Sequence, residues 1–267
     1  MFASRPFIIK KMPGFATIAL LMFVILYLPI MLLIIYSFNE RESVASWGGF
    51  SLRWYQSAWN NREIKEAAFR SLWLASFAAS IATITATLAA IATTRTKPFR
   101  GMTMVYAIIN MPLMVPEIVT AVALLIFFAS IKIATNYTGV GYLMAAHAAF
   151  CIPFAYLPIR ARLETMDSTL ETAAADLYAS PYKAFRYVTL PLLWPGIIAG
   201  FMLAFVISLD DVVITDHIKS GGEETLPTYM LGQLRRTMTP EVNAVSAIFF
   251  GLSVLLVTLF FFLNRKK

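Results

Sequence analysis

Apolar residues along the chain arrive in long unbroken blocks separated by short polar stretches. About 20 consecutive apolar residues are needed for a helix to cross the hydrocarbon core of a bilayer. Six blocks approach or exceed that length: 14–36, 71–94, 102–131, 140–159, 194–213 and 242–263. They do not show the two-residue alternation of barrel strands. The pattern therefore predicts an all-α membrane protein with six transmembrane helices. The first block, Gly14 to Tyr36, carries no charge and follows Arg5, Lys10 and Lys11. That order resembles a signal peptide. The block is too long for a signal core and no small-residue cleavage site follows it, so it is expected to stay as a helix.

Composition agrees. Of 267 residues, 59% are hydrophobic and 14% charged, against about 25% charged in a soluble domain. This excludes an ordinary cytosolic enzyme, a disordered tail and a disulfide-stapled secreted domain. The single cysteine, Cys151, lies in an apolar block and reads as a packing residue. The net charge of +7 would suggest nucleic acid in a soluble protein. Here it reports orientation. With the N-terminus inside, segments 1–13, 95–101, 160–193 and 264–267 hold 13 Lys/Arg and four acids, while the rest of the chain holds nine Lys/Arg and 11 acids. Basic residues favour the cytoplasmic side, so the expected topology is N-in/C-in.

The expected organisation is a cytoplasmic N-terminus 1–13, a first transmembrane helix 14–36, an outer loop 37–70, a five-helix core 71–263 and a cytoplasmic C-terminus 264–267. The core includes an inner loop 160–193 and an outer loop 214–241. Function is expected in the bundle and in these three loops.

No P-loop, HExxH, CxxC or GxSxG pattern occurs. His147 and His217 are too far apart in sequence to suggest a metal site, and neither a metal nor a cofactor is expected. Asn136-Tyr137-Thr138 fits a glycosylation sequon, a pattern too short to carry weight.

Glu117 stands in Met111-Pro112-Leu113-Met114-Val115-Pro116-Glu117, midway along the third block. A carboxylate at that depth costs several kcal/mol unless it faces protein, water or a cation. The two prolines interrupt the backbone ladder. Irregular backbone at membrane depth is tolerated where it is buried in protein or lines a cavity. Together these features suggest a broken helix beside a polar path; a packed glutamate with a local hydrogen bond is the plainer alternative. Ser208-Leu209-Asp210-Asp211 closes the fifth block. Its adjacent carboxylates repel, and a polycation would relieve the repulsion. Solvated acids at a helix exit fit equally well. Trp47, Trp54, Tyr55 and Trp59 crowd the first outer loop, either as cation-binding faces or as an interfacial aromatic belt.

The inner loop has its own signals. Ser168-Thr169-Leu170-Glu171 matches a capping box, predicting a helix from Ser168. Ser180-Pro181 reads as a second helix start. Two short helices joined near Tyr178-Ala179 form either a docking element or a merely structural loop.

Thr172-Ala173-Ala174-Ala175-Asp176-Leu177-Tyr178, followed by Val188-Thr189-Leu190-Pro191, resembles the EAA motif of binding-protein-dependent ABC importer permeases. The spacing matches. The motif's glutamate position holds Thr172, with Glu171 adjacent, and its glycine position holds Tyr178. If that turn is left-handed, tyrosine costs about 1–2 kcal/mol there. Further stretches extend the resemblance over roughly residues 20–260 and make it specific to the polyamine (spermidine/putrescine) permease branch. They are Tyr36-Ser37-Phe38-Asn39, Arg53-Trp54-Tyr55, Pro116-Glu117-Ile118-Val119, Ser208-Leu209-Asp210-Asp211-Val212-Val213, Leu226-Pro227 and Pro240-Glu241-Val242-Asn243-Ala244.

The resemblance implies the type I ABC importer permease (MetI-like) fold and a multi-pass protein of the bacterial inner membrane. It implies a transport subunit that is not itself an enzyme. The implied partners are a homologous permease, a cytoplasmic ATPase dimer and a periplasmic substrate-binding protein, with lipid around them and no nucleic acid. It assigns Trp54, Glu117, Ser208, Asp210 and Asp211 to a substrate path. It assigns Glu171, Thr172, Ala173, Ala174, Asp176, Tyr178, Leu190 and Pro191 to ATPase coupling. The expected function is ATP-driven import of polyamines. Another small organic cation or amino-acid derivative as cargo, an ATP-independent secondary carrier and a membrane scaffold remain as alternatives.

Overall fold

The computed structural model describes residues 14–43, 46–137, 139–236 and 239–265. The expected N-terminal segment 1–13, Lys266, Lys267 and the sequon residue Thr138 lie outside them. In chain order the helices are α1 (Phe15–Tyr36), α2 (Arg53–Asn60), α3 (Arg62–Thr94), α4 (Met102–Met114), α5 (Glu117–Thr135) and α6 (Gly141–Thr165). There follow α7 (Thr169–Asp176), α8 (Pro181–Ala184), a π-helical turn (Phe185–Thr189), α9 (Leu190–Asp210), α10 (Val213–Ile218), α11 (Leu226–Arg236) and α12 (Pro240–Arg265). The chain divides into two compact units, Met1–Asn61 with Gln233–Leu252, and Arg62–Gly232 with Ser253–Lys267.

The core of the larger unit is the mutual packing of α3, α6 and α9. Helix α3 turns a stripe of small residues inward. Ala75, Ala79, Ala82, Ala86 and Ala90 are fully buried, and their three- and four-residue spacing puts them on one face. Lipid is as apolar as the helices, so association relies on close packing, which small side chains permit. Helix α9 uses the same device. A Cβ at Gly200 would stand 2.7 Å from the carbonyl oxygen of Ala155 on α6, and one at Gly196 would stand 2.7 Å from Arg162 Cβ. Polar ties fix the register. The hydroxyls of Thr93 and Tyr156 lie 2.9 Å apart, and Arg162 Nε donates to the Leu192 carbonyl at 2.9 Å.

In the smaller unit, α1 is apolar and buries none of its residues, as suits a helix surrounded by lipid. The loop after it is organised by Asn39, which is wholly buried. Its amide donates to the carbonyls of Ser43 and Ser46 at 2.9 Å, and its Oδ1 accepts from the Gly48 N–H at 2.8 Å.

Helix ends differ from the apolar blocks because apolarity marks the bilayer, whereas a helix continues until its backbone ladder is interrupted. Helix α3 starts at Arg62 rather than 71, carrying Ile64, Ala67 and Ser71 as a buried face. Helix α6 runs on to Thr165. The third block is two helices: α4 stops at Met114, Val115 and Pro116 are extended, and α5 restarts at Glu117. Pro116 cannot donate to the ladder, and it pushes the preceding residue out of helical geometry.

The inner loop also departs from its expected capping box. Ser168 makes no side-chain cap to α7. The Thr169 N–H donates instead to Asp167 Oδ1 at 2.9 Å, and that bond holds the Asp167 carboxyl below the usual carboxylate range. Glu171 is then free to point elsewhere. Ser180 does cap α8, accepting from the Lys183 N–H at 3.4 Å, with Pro181 in the first turn. The π-helical turn follows from Pro191. With no N–H to give the carbonyl four residues back, the ladder slips to a wider spacing before α9.

Candidate functional site

The break in the third span places Glu117 in the first turn of α5, where unpaired N–H groups and the helix dipole favour a negative charge. A second interruption lies at the end of α9. Asp210 is its last residue, Asp211 is extended, and α10 begins at Val213. The two interruptions meet at one cavity of about 330 Å³, lined by Glu117, Phe150, Phe154, Val206, Ile207, Asp210, Asp211, Val212 and Val213. Three of the expected path acids therefore share a cavity. Glu117 lies close enough to both aspartates for their negative charges to act on it. Two carboxylates that close repel, and a cation beside them relieves the repulsion.

The two aspartates are not equivalent. Asp210 is exposed, whereas the Asp211 side chain is 2% exposed. The Asp211 carboxylate accepts from the Ile214 N–H at 3.2 Å and from the Thr215 N–H at 2.9 Å, which caps α10. It also accepts from the Thr215 hydroxyl at 2.8 Å. His147 Nε2 stands 3.3 Å from the same oxygen and 2.9 Å from Thr215 Oγ1. On the other side of the ring, Nδ1 is 2.8 Å from Ser208 Oγ. Ser208 thus bonds His147 and is absent from the cavity lining. Among the described residues, no group of three or more His, Cys, Asp or Glu could hold a metal ion.

Sequence reasoning missed two parts of this arrangement. His147 looked like one of two isolated histidines, because Ser208 and Thr215 are remote in sequence. Phe150 and Phe154 were not singled out at all. Their four-residue spacing on α6 brings the rings to 5.5 Å between centroids, beside the acids. That spacing, with the intervening Cys151-Ile152-Pro153, was the one available signal, and it is common to any apolar helix.

Trp54 belongs to the smaller unit. It is 7% exposed, its indole N–H donates to the Asn39 carbonyl at 2.7 Å, and the Arg53 guanidinium lies 4.4 Å from its ring centroid. Arg53 also pairs with Glu42 at 3.0 Å. One ring face is therefore already covered by a cation.

In the inner loop, Glu171 takes the polar role. Its carboxylate faces Arg95 at 3.3 Å and accepts from the Thr189 hydroxyl at 2.9 Å. The Thr172 hydroxyl donates to the Ser168 carbonyl at 3.3 Å. Tyr178 adopts φ 57°, the left-handed region, and is 98% exposed, beside Leu177 at 82%. Ala173 and Asp176 are exposed, Ala174 is half-buried, Leu190 is half-buried and Pro191 is exposed.

Residues 83–266 match the family described as "Binding-protein-dependent transport system inner membrane component". The chain is 36% identical over 246 residues to the putrescine transport system permease protein PotI of Escherichia coli (strain K12), covering 91% of this chain and 88% of that one. It is 40% identical over 242 residues to the spermidine/putrescine transport system permease protein PotC of Haemophilus influenzae, covering 91% and 93%. Among solved structures, a bacterial ABC transporter involved in import of the acidic polysaccharide alginate superposes with a TM-score of 0.68 at 14% identity, over 100% of this chain and 99% of that one. That likeness is one of fold.

Proposed function

This chain belongs to the family of inner membrane components of binding-protein-dependent transport systems, and from that premise we propose that its cargo is a polyamine of the spermidine/putrescine class. The chain is a multi-pass inner-membrane permease subunit of an ABC importer with the type I fold. It is a transport subunit rather than an enzyme. Its family works with an ATPase and a substrate-binding protein. The alternative of an ATP-independent carrier finds no support.

One observation carries the cargo assignment: the cavity at the two helix interruptions is lined by three carboxylates, two phenylalanines and no basic residue. Ammonium groups separated by methylenes fit such a lining. Each charge finds a carboxylate or an aromatic face, the latter worth about 0.5–2 kcal/mol, and the methylenes find Val206, Ile207 and Val213. The relatives named for putrescine and spermidine transport support the same reading. Transport requires occupancy favourable enough to enter and weak enough to leave, so an open cavity with an exposed Asp210 suits a path better than a high-affinity store. Trp54 enters this proposal through exchange: a cargo ammonium would take the ring face that Arg53 now covers. Ser208 acts behind the wall, through His147.

The proposed coupling surface is the exposed end of the inner loop, Leu177 and Tyr178, with Thr172, Ala173 and Asp176 beside it. Glu171, Ala174 and Leu190 shape the loop from within, and Pro191 shapes it through the π-helical turn before α9. The specific partners proposed are a homologous permease subunit, an ATPase dimer and a periplasmic binding protein. The test is uptake of labelled spermidine and putrescine by proteoliposomes containing the full complex, with and without ATP. ATP-dependent accumulation of either compound is expected. Hydrolysis of ATP with neither compound accumulating would overturn the cargo assignment.

A further inference from the structure

The acids at the cavity divide into two kinds, and the division is built by a histidine outside it. The Asp211 carboxylate accepts three hydrogen bonds from α10, and its Oδ2 also faces His147. Few of its lone pairs are left for a cargo ammonium. Asp210 is exposed to the cavity and has no hydrogen bond among those described. His147 is 1% exposed and bridges three elements: its own α6, the end of α9 through Ser208, and the start of α10 through Thr215 and Asp211.

Proton counting orders the bridge. An ionised Asp211 carboxylate can only accept, so the Thr215 hydroxyl 2.8 Å from its Oδ2 is assigned as the donor. The Nε2 position therefore donates toward the oxygens of Thr215 and Asp211, and Nδ1 accepts from the Ser208 hydroxyl. Every polar atom of the ring is used, as burial demands. A buried ring satisfied at both ends has one orientation available to it, and so does the carboxylate it faces.

We propose that His147 is a positioning residue that holds Asp211 as the fixed cap of α10, so that Asp210 and Glu117, with Phe150 and Phe154, form the set that meets the cargo. The arrangement makes the start of α10 a rigid wall of the cavity. It separates an acid that shapes the site from acids that bind in it. The proposal rests on the polyamine reading for the identity of the cargo, but not for the bridge itself.

The test uses the complete complex in proteoliposomes, with putrescine and spermidine as probes and binding-protein-stimulated ATP hydrolysis read in the same vesicles. The Gln side chain reaches the Nε2 position and the Asn side chain only the Nδ1 position. H147Q should therefore stay within about twofold of wild type, while H147N should fall about fivefold or more, the equivalent of about 1 kcal/mol for a lost hydrogen bond. D211N should fall by a similar factor, and the H147N/D211N double variant should be no worse than either single, because both remove one interaction. These variants should slow the two polyamines alike. D210N should instead change the ratio between them, penalising spermidine, which carries the extra charge.

Multiplying effects of H147N and D211N would overturn the proposal, as would an H147Q variant as impaired as H147N. A D211N variant that shifts the spermidine-to-putrescine ratio as D210N does would also overturn it. If H147N does not assemble, the D211N and D210N comparison decides alone. A wild-type complex that hydrolyses ATP but carries neither polyamine defeats the cargo assignment only. The ATPase readings of H147N, D211N and the double variant then still test the bridge.

Discussion

Arg95 Nε stands 3.3 Å from each carboxylate oxygen of Glu171, joining the residue just beyond α3 to the short helix α7 of the inner loop. The Thr189 hydroxyl donates to the same carboxylate at 2.9 Å from the foot of α9. Glu171 therefore ties the loop to both core helices that enter the membrane beside it. The family motif places its acid one residue later, where this chain has Thr172. The acid has moved by one position, and its side chain turns inward.

Glu171→Ala should destabilise the loop by about 1–3 kcal/mol, because the pair is mostly buried and Arg95 Nη2 is also buried without a hydrogen-bond partner. Thr172→Ala should change stability by less than about 0.5 kcal/mol, since that side chain is exposed. Hydrogen exchange across 168–190 in the purified complex checks both. Equal protection in the two variants would show that the tie carries nothing.

Tyr178 offers a second contrast with the family pattern. Its φ of 57° suits glycine, and the turn is closed by the Tyr178 N–H on the Ala175 carbonyl at 2.9 Å and the Ala179 N–H on the Ala174 carbonyl at 3.0 Å. A left-handed non-glycine residue costs about 1–2 kcal/mol, and glycine returns part of that as unfolded-state entropy. Tyr178→Gly should therefore stabilise the loop by about 0.5–1 kcal/mol, raising its exchange protection. The same substitution removes an exposed ring from the proposed docking surface. Retained ATPase in a pull-down would then assign the tyrosine a conformational role alone, and lost ATPase would assign it a contact.

Gly200 tests the core. A Cβ there meets the Ala155 carbonyl at 2.7 Å, a backbone atom that cannot swing away. Gly200→Ala should force α6 and α9 apart and cost about 1–3 kcal/mol, read as a lower midpoint in thermal unfolding of the detergent-solubilised complex. Gly251, with nothing near its added Cβ, is the control: alanine there should be neutral or slightly stabilising. Equal midpoints for both variants would remove the close-packing account of the α6–α9 contact.

These contrasts show which parts of the molecule can be read from sequence. The break before Glu117 was legible because proline acts on its immediate neighbours, and the second loop helix was legible because Ser180 and Pro181 act locally too. The capping box at Ser168 was misread for a related reason. The local pattern was present, but Arg95 and Thr189, 76 and 18 residues from Glu171, compete for its carboxylate. His147 was hidden in the same way: its partners lie 61 and 68 residues away. The identity of the acids at the cavity was visible in the chain. The difference between Asp210 and Asp211 was not, because it depends on where α9 ends and α10 begins.

Glu117 carries the most direct test of the cavity. Glu117→Gln keeps the shape and removes the charge, so polyamine uptake should fall while the complex still assembles. Glu117→Lys goes further. It places a tethered ammonium in the cavity it shares with Asp210, at the position proposed for a cargo ammonium, and the carboxylates that repel one another in the wild type would instead be neutralised by the protein itself. A lysine there should fold, since the acids around it offset its burial. Uptake of both putrescine and spermidine should be abolished, while the ATPase still co-purifies, because the proposed coupling surface is untouched. Normal uptake in Glu117→Lys would mean that cargo does not pass this cavity.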